Sequence, residues 1–225
     1  MCTRYYMELS PELRPIIEEA KHSALADRMI HNLGKPLKTK GEIRPTDIAP
    51  VIASSQRGTR SVYPMIWGFI LPDRENTKRS QPLVNARMES ADRKPTFRES
   101  WSRRRCIVPA SYYFEWDHVP YVPYGENGKS LPTSSRRVGH KYAIQPKDES
   151  VTWLAGLYRI EDGYPHFAVL TREPEGAVRE IHDRMPVILE TDRINEWINP
   201  MTNLIRIKEI AWGSLTDMIL EKQNL

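Results

Sequence analysis

Apolar residues recur at helical spacing in one long stretch near the start of the chain. In SPELRPIIEEAKHSALADRMIHNL, Leu13, Ile16, Ile17, Ala20 and Leu25 fall on one stripe, Ser10 is placed to cap, and Pro11 suits a first helical turn. The spacing predicts one amphipathic helix packed on a core. Beyond it the period shortens. The runs APVIAS, SVYPMIWGFIL, CIVPASYYFEW, HKYAIQP, VTWLAGLYRI and PHFAVLT are rich in β-branched and aromatic residues and bounded by Pro, Gly, Asp and Asn, as strands are. Short helices are expected over PTFRESWSRR, where Phe97 and Trp101 lie four apart, over EPEGAVREIH, and from Thr191 through TDRINEWI. Strands in runs, with helices at intervals and no βαβ alternation, predict an α+β fold on mostly antiparallel sheet. No internal repeat or long linker divides the 225 residues, so one domain over 1–225 is expected. The Pro-, Gly- and Ser-rich stretch DHVPYVPYGENGKSLPTSSRRVGH reads as an exposed loop or ribbon within it.

Composition narrows the class without naming a function. Lys and Arg number 33 against 29 Asp and Glu, a net charge of +4, so any affinity for nucleic acid depends on where cations cluster. Two cysteines, Cys2 and Cys106, are too few for a disulfide-stapled secreted fold, and no Cys/His spacing reads as a zinc site. No apolar signal follows Met1, and MIWGFIL and RMPVIL are too short to span a bilayer. A cytoplasmic protein is expected, with no metal, no cofactor and no membrane partner.

Four places carry unusual polar residues in apolar surroundings. Cys2 and Arg4 stand at the chain start, where a frayed terminus without a role is one reading. LVNARMES sets Asn85, Arg87 and Glu89 on alternate positions, so a strand there would show all three on one face, for a salt bridge or for chemistry. YYFEWD places Glu115 between Phe114 and Trp116, at a solvated rim or in a catalytic role. IHDRMPVIL sets His182, Asp183 and Arg184 before an apolar strand, where a histidine serves as a helix cap or as an acid and base.

In combination and order these segments resemble one family. MC-x-R, NAR-x-E, RRRC-x-VPA-x-x-[FY]-[FY]-EW and IH-D-R-M-P, with WG-x-x-x-P (Trp67, Gly68, Pro72) and KPTFRESWSRRRCIVPA, resemble the SOS-response-associated peptidase (SRAP) family. The likeness runs from Cys2 to about Leu189, and 190–225 is divergent. Thr3 stands where the family usually has glycine, EIRPTDIAPVI keeps Pro45 and Thr46 of its family segment without the preceding Asn and Ala, and the loop after Trp116 is longer than usual.

The resemblance implies a barrel-like sheet with a few short flanking helices. It also implies a protein that senses abasic sites in single-stranded DNA and traps them through the cysteine that becomes residue one once Met1 is removed. The chemistry of the residues agrees. Cys2 would then carry an amine and a thiol on one Cα. The amine condenses with the aldehyde of an open abasic sugar, and the thiolate closes a five-membered thiazolidine. Ring closure is intramolecular and gains accordingly. The two groups titrate at about 7.7–8.0 and about 8.5, so neither needs a large shift. By resemblance Glu115 is the acid and base, His182 assists sugar opening and Asn85 orients the sugar or the terminus. An imine also opens a β-elimination route, hence weak lyase activity, and the family name adds self-processing peptidase activity.

Candidate DNA contacts are Arg4, Arg87, Arg98, Arg103, Arg104 and Arg105 for phosphates and Trp67 and Trp116 for stacking on bases. Arg4 and Arg87 adjoin reactive positions, whereas Arg103 and Arg104 fit a solvated helix face equally well. Cys106 lies in an apolar strand as an inert thiol. A monomer acting on single-stranded DNA with abasic sites is expected. Two alternatives stay open: an N-terminal-cysteine peptidase or amidohydrolase with no DNA role, and a non-catalytic single-strand binding module.

Overall fold

The amphipathic stretch near the start folds as two helices, not the single one expected. Helix α1 (Arg14–Lys21) buries Ile16, Ile17 and Ala20, and α2 (Ala24–Leu33) buries Ala26 and Met29. Ser23 breaks the run, because its extended backbone lets its hydroxyl accept the Ala26 N–H as an N-cap. Ser10 closes the entry turn by accepting from the Leu13 N–H, but Pro15 rather than Pro11 occupies the first helical turn.

The computed structural model describes residues 2–55, 58–70, 81–117 and 139–223. Most of the long loop after Trp116, and Pro72, therefore lie outside the described residues. Strand β1 (Tyr5–Met7) precedes the two helices, and β2 (Gly41–Ile43), β3 (Ile48–Ser54) and β4 (Arg60–Trp67) follow them. Next come β5 (Asn85–Arg87), β6 (Arg105–Ala110), β7 (Tyr112–Trp116), β8 (Lys141–Pro146), β9 (Thr152–Glu161) and β10 (Tyr164–Arg172). The last are β11 (Met185–Pro186), β12 (Ile188–Leu189) and β13 (Met218–Lys222).

Strand β10 pairs β4, β4 pairs β3, β3 pairs β6, β6 pairs β9, and β9 returns to β10, so the sheet closes into a barrel. Pairing is antiparallel except where β10 runs parallel to β4 and β5. Strand β6 is buried along its length and apolar after Arg105, with α4 (Pro95–Arg103), β1 and α5 (Ile194–Ile198) packed on it. A second sheet in the order β13-β8-β7-β1-β2 lies beside the barrel. This is the α+β, mostly antiparallel fold the pattern predicts, closed into the barrel that the family resemblance implies.

One expected helix is shorter than the pattern suggests, and another begins as a 3₁₀ turn. EPEGAVREIH forms a 3₁₀ turn over Gly176–Glu180, and TDRINEWI forms a 3₁₀ turn over Thr191–Arg193 before α5. The face expected to carry Asn85, Arg87 and Glu89 together is interrupted. Strand β5 ends at Arg87, and Glu89 lies on α3 (Met88–Ala91). The divergent C-terminal part is built into the fold: Trp197, Ile207 and Ile210 share the core, with Ile207 and Ile210 on α6 (Leu204–Trp212), and β13 pairs β8. No described helix is long and apolar enough to cross a membrane.

Candidate active site

The site begins with the N-terminal arm. Strand β1 pairs antiparallel with β7, Tyr5 opposite Tyr113, and the Phe114 N–H donates to the Arg4 carbonyl at 2.9 Å. That bond carries residues 2–4 alongside the end of β7. Cys2 is 0% exposed, so the frayed-terminus reading does not hold. Burial pushes its thiol well up, and the Glu115 carboxylate pushes in the same direction.

Asn85, Glu115 and His182 converge on this point from three elements. The Asn85 amide donates to the Cys2 carbonyl at 2.8 Å, while its buried Oδ1 has no hydrogen-bond partner among the described residues. Glu115 is 3% exposed, which excludes the solvated-rim reading. Burial raises its carboxyl from the ordinary 4.5 to about 7, and the Asp183 charge adds to the rise. Its sequence neighbours are not the cause. Tyr112, Phe114 and Trp116 pack edge-on and tilted along the opposite face of β7, as alternation requires, while Tyr113 shares the inner face with Glu115.

His182 Nε2 stands 3.8 Å from Glu115 Oε2. The Arg184 N–H lies 3.1 Å from Nδ1, which accepts from it when that nitrogen is unprotonated. Asp183 Oδ1 lies 2.7 Å from the same Nδ1 and accepts from it once both nitrogens are protonated. His182 thus has partners in both charge states.

An ion pair between buried Arg184 and half-buried Glu89 ties two of these elements together. Arg184 donates to both Glu89 oxygens, at 2.9 and 2.8 Å, and to the Thr171 carbonyl at 2.7 Å. The fork joins α3, directly after Asn85–Arg87, to the segment that carries His182. Both residues were visible in the sequence as neighbours of the site, but their pairing was not.

Two expected DNA contacts are corrected. Trp67 is 0% exposed, stacks on Phe167, and donates its indole N–H to the Val84 carbonyl at 3.1 Å. It supports the residue before Asn85 and offers no face to a base. Arg105 is 1% exposed and donates to the carbonyls of Trp101, Ser102, Trp197 and Asn199. Those oxygens end α4 and α5, so one guanidinium caps two helix C-termini and is closed to phosphate. Arg87, Arg98 and Arg103 are exposed, and Arg104 pairs with Glu99 at 3.2 Å.

A cationic group that the sequence pattern did not reveal borders the site. Glu42 accepts from Arg4, Arg44 and Lys141 at 3.0, 2.7 and 2.9 Å. The Arg4 guanidinium lies 5.1 Å from the Trp116 ring centre, and the Lys141 ammonium 3.5 Å from that of Phe114. Three cations share one carboxylate beside a half-buried tryptophan. Lys141 was missed because it follows the long loop, and only the β7–β8 pairing brings it back to Trp116.

The model of a family described as SOS response associated peptidase (SRAP) matches residues 1–216, extending past Leu189 into the divergent part. Abasic site processing protein YoaM of Bacillus subtilis is 32% identical over 171 residues, covering 72% of this chain and 69% of that protein. Abasic site processing protein YoqW of the same organism is 32% identical over 139 residues, covering 60% of this chain and 55% of its own. A crystal structure of a protein from Bacteroides thetaiotaomicron shares the fold at a TM-score of 0.70 and 22% identity, over 99% of this chain and 92% of that one.

Proposed function

The chain belongs to the SOS response associated peptidase family, and from that premise we propose that it processes abasic sites in single-stranded DNA by forming a covalent thiazolidine through Cys2. The relatives named abasic site processing proteins support the substrate class. The observation that carries the mechanism is the burial of Cys2 one residue from the start of the sequence, its carbonyl held by Asn85 and Glu115 within reach. Removal of Met1 frees the Cys2 amine inside this pocket. The amine attacks the open-chain aldehyde, and the carbinolamine loses water to give an imine. Glu115, half protonated near neutrality, is suited to give the proton that leaves with water and to take one from the thiol. The thiolate then adds to the imine carbon. Overall, aldehyde and aminothiol give thiazolidine and water.

The unpaired Oδ1 of Asn85 is the acceptor for the new amine or a sugar hydroxyl. His182, with its Nε2 facing Glu115, relays protons during sugar opening. The cations around Glu42, with Arg87, hold the phosphates. The protein acts as a cytoplasmic monomer, and β-elimination from the imine gives weak lyase activity. Self-processing uses the same thiol on the Met1–Cys2 bond. The test is a denaturing gel after incubation with an oligonucleotide carrying one abasic site. Wild type gives a heat- and SDS-stable band without added reductant, and intact strand or duplex gives little. Cys2→Ala, or a mass-verified uncleaved N-terminal tag, removes the band. A band of unchanged strength with either would refute the aminothiol mechanism and leave a lysine or Cys106 as nucleophile.

A further inference from the structure

The cations beside the site are gathered by a single carboxylate. Glu42 lies on β2 opposite Tyr6 of β1, and its backbone is fixed from both sides. Lys38 donates to its carbonyl at 2.9 Å, and the Arg44 N–H donates to the Asp47 carboxylate at 2.8 Å. The Glu42 side chain is 19% exposed, with Oε1 accepting from Arg4 and Arg44 and Oε2 from Lys141. Burial opposes its ionisation, yet the hydrogen bonds from Lys141 and Arg44 hold its carboxyl down at about 2, so it is an anion near neutrality. Glu42 and Arg44 stand immediately before Pro45, in the segment where the chain departs from the family pattern. A carboxylate among cations that face phosphate works against affinity, because like charges repel the ligand. Arg4 shows what is gained. It lies two residues beyond Cys2, its carbonyl accepts from the Phe114 N–H at 2.9 Å, and its guanidinium reaches Glu42 at 3.0 Å. The arm is thus tied to β7 through backbone and to β2 through a side chain, and its next fixed point is the Cys2 carbonyl, held by Asn85.

We propose that Glu42 is a positioning residue for the trapping reaction: it gives up some affinity for phosphate to hold Arg4, and through Arg4 the arm that carries Cys2, in place for attack on the abasic aldehyde. The inference rests on the abasic-site reading above. Arg4 donates one N–H to Glu42, and the others remain for a phosphate. Three cations against one carboxylate still leave an excess of positive charge beside Trp116. The charge-assisted bond is the stronger kind, so it fixes the guanidinium more firmly than a neutral acceptor would. A reacting group carried on a short arm loses rate steeply when the arm is loosened, because the attack geometry is no longer prepaid. Binding and reaction therefore depend on Glu42 with opposite signs.

The experiment compares wild type, Glu42→Gln and Glu42→Asp by two readouts: affinity for an intact single-stranded oligonucleotide across salt, and the rate of stable adduct formation at saturating abasic oligonucleotide. Glu42→Gln keeps size and removes the charge, which frees one cation for phosphate. Its log–log salt slope should steepen by about 0.7, with tighter binding at low salt. Its adduct should nevertheless form about tenfold more slowly at saturation. Glu42→Asp restores the charge one methylene short, and should recover the wild-type slope and part of the rate. A merely structural role would weaken binding and reaction together and lower the melting temperature, and that result would overturn the assignment. So would a Glu42→Gln slope equal to wild type, or a saturated rate equal to wild type. Wild type that forms no Cys2-dependent adduct would sink the abasic-site reading itself, while the salt slopes on intact strand would still judge Glu42 as the counter-charge.

Discussion

Glu115 is held almost wholly out of water, and its carboxyl rises from 4.5 to about 7 chiefly for that reason. A carboxyl raised on folding contributes stability below its unfolded value, near 4.5, and loses it as pH climbs through about 7. Glu115→Gln removes the titration while keeping size and polarity. The variant should therefore melt higher than wild type at alkaline pH, with the gain disappearing as pH falls past 4.5. Thermal melts across pH check this, and a gain independent of pH would contradict the raised carboxyl. The same variant should bind single strands normally yet crosslink more slowly by about 10²-fold or more. Cys2, Asn85, Glu115 and His182 were all legible as residue types in unusual company. The cause of Glu115's burial was not, since the aromatic neighbours that drew attention to it point to the other face of β7. What buries it is the arm laid against β7, a contact more than a hundred positions distant in sequence.

Elements are placed by groups that the local pattern does not rank. Within Arg103, Arg104 and Arg105 the sequence offers three equivalent cations, yet α4 stops at Arg103 and β6 starts at Arg105, so the last turns inward. There it meets the carbonyls at the ends of α4 and α5, a convergence that depends on tertiary structure alone. The Glu89–Arg184 fork works similarly, fixing the segment of Asn85 against that of His182. Breaking it should cost roughly 1.5–3 kcal/mol, the range for hydrogen bonds to charged groups. Glu89→Gln and Arg184→Lys should each destabilise the protein in urea and slow crosslinking at nearly unchanged DNA affinity. In a Glu89→Ala, Arg184→Ala cycle the two losses should fall short of additivity. Strictly additive losses would mean that the fork does not couple the two segments.

At the scale of the whole molecule, the strand runs and the α+β class follow from hydrophobic periodicity, but closure does not. The parallel pairings of β10 with β4 and β5 join segments far apart in the chain, and a strand's own residues do not specify such partners. One residue shows where closure is most demanding. Gly156 in β9 pairs with Cys106 on one side and Val169 on the other, in the wall of the barrel. Its backbone is ordinary, so conformational freedom is not what requires glycine. A Cβ there would stand 2.9 Å from Cys106 Sγ and 3.2 Å from the Ala168 carbonyl oxygen. Cys106 is thus an inert buried thiol whose sulfur fills the space above a glycine, and burial pushes its ionisation far up. Gly156→Ala should overpack the wall and cost about 1–3 kcal/mol. Cys106→Ala removes the sulfur that the new methyl would meet. The double variant should therefore be more stable than the sum of the two losses, by roughly 0.5–1 kcal/mol in denaturant titration. Neither change should prevent Cys2-dependent crosslinking in protein that remains folded. If Cys106→Ala gives no relief to Gly156→Ala, the Ala168 carbonyl rather than the thiol sets the limit on this strand pair.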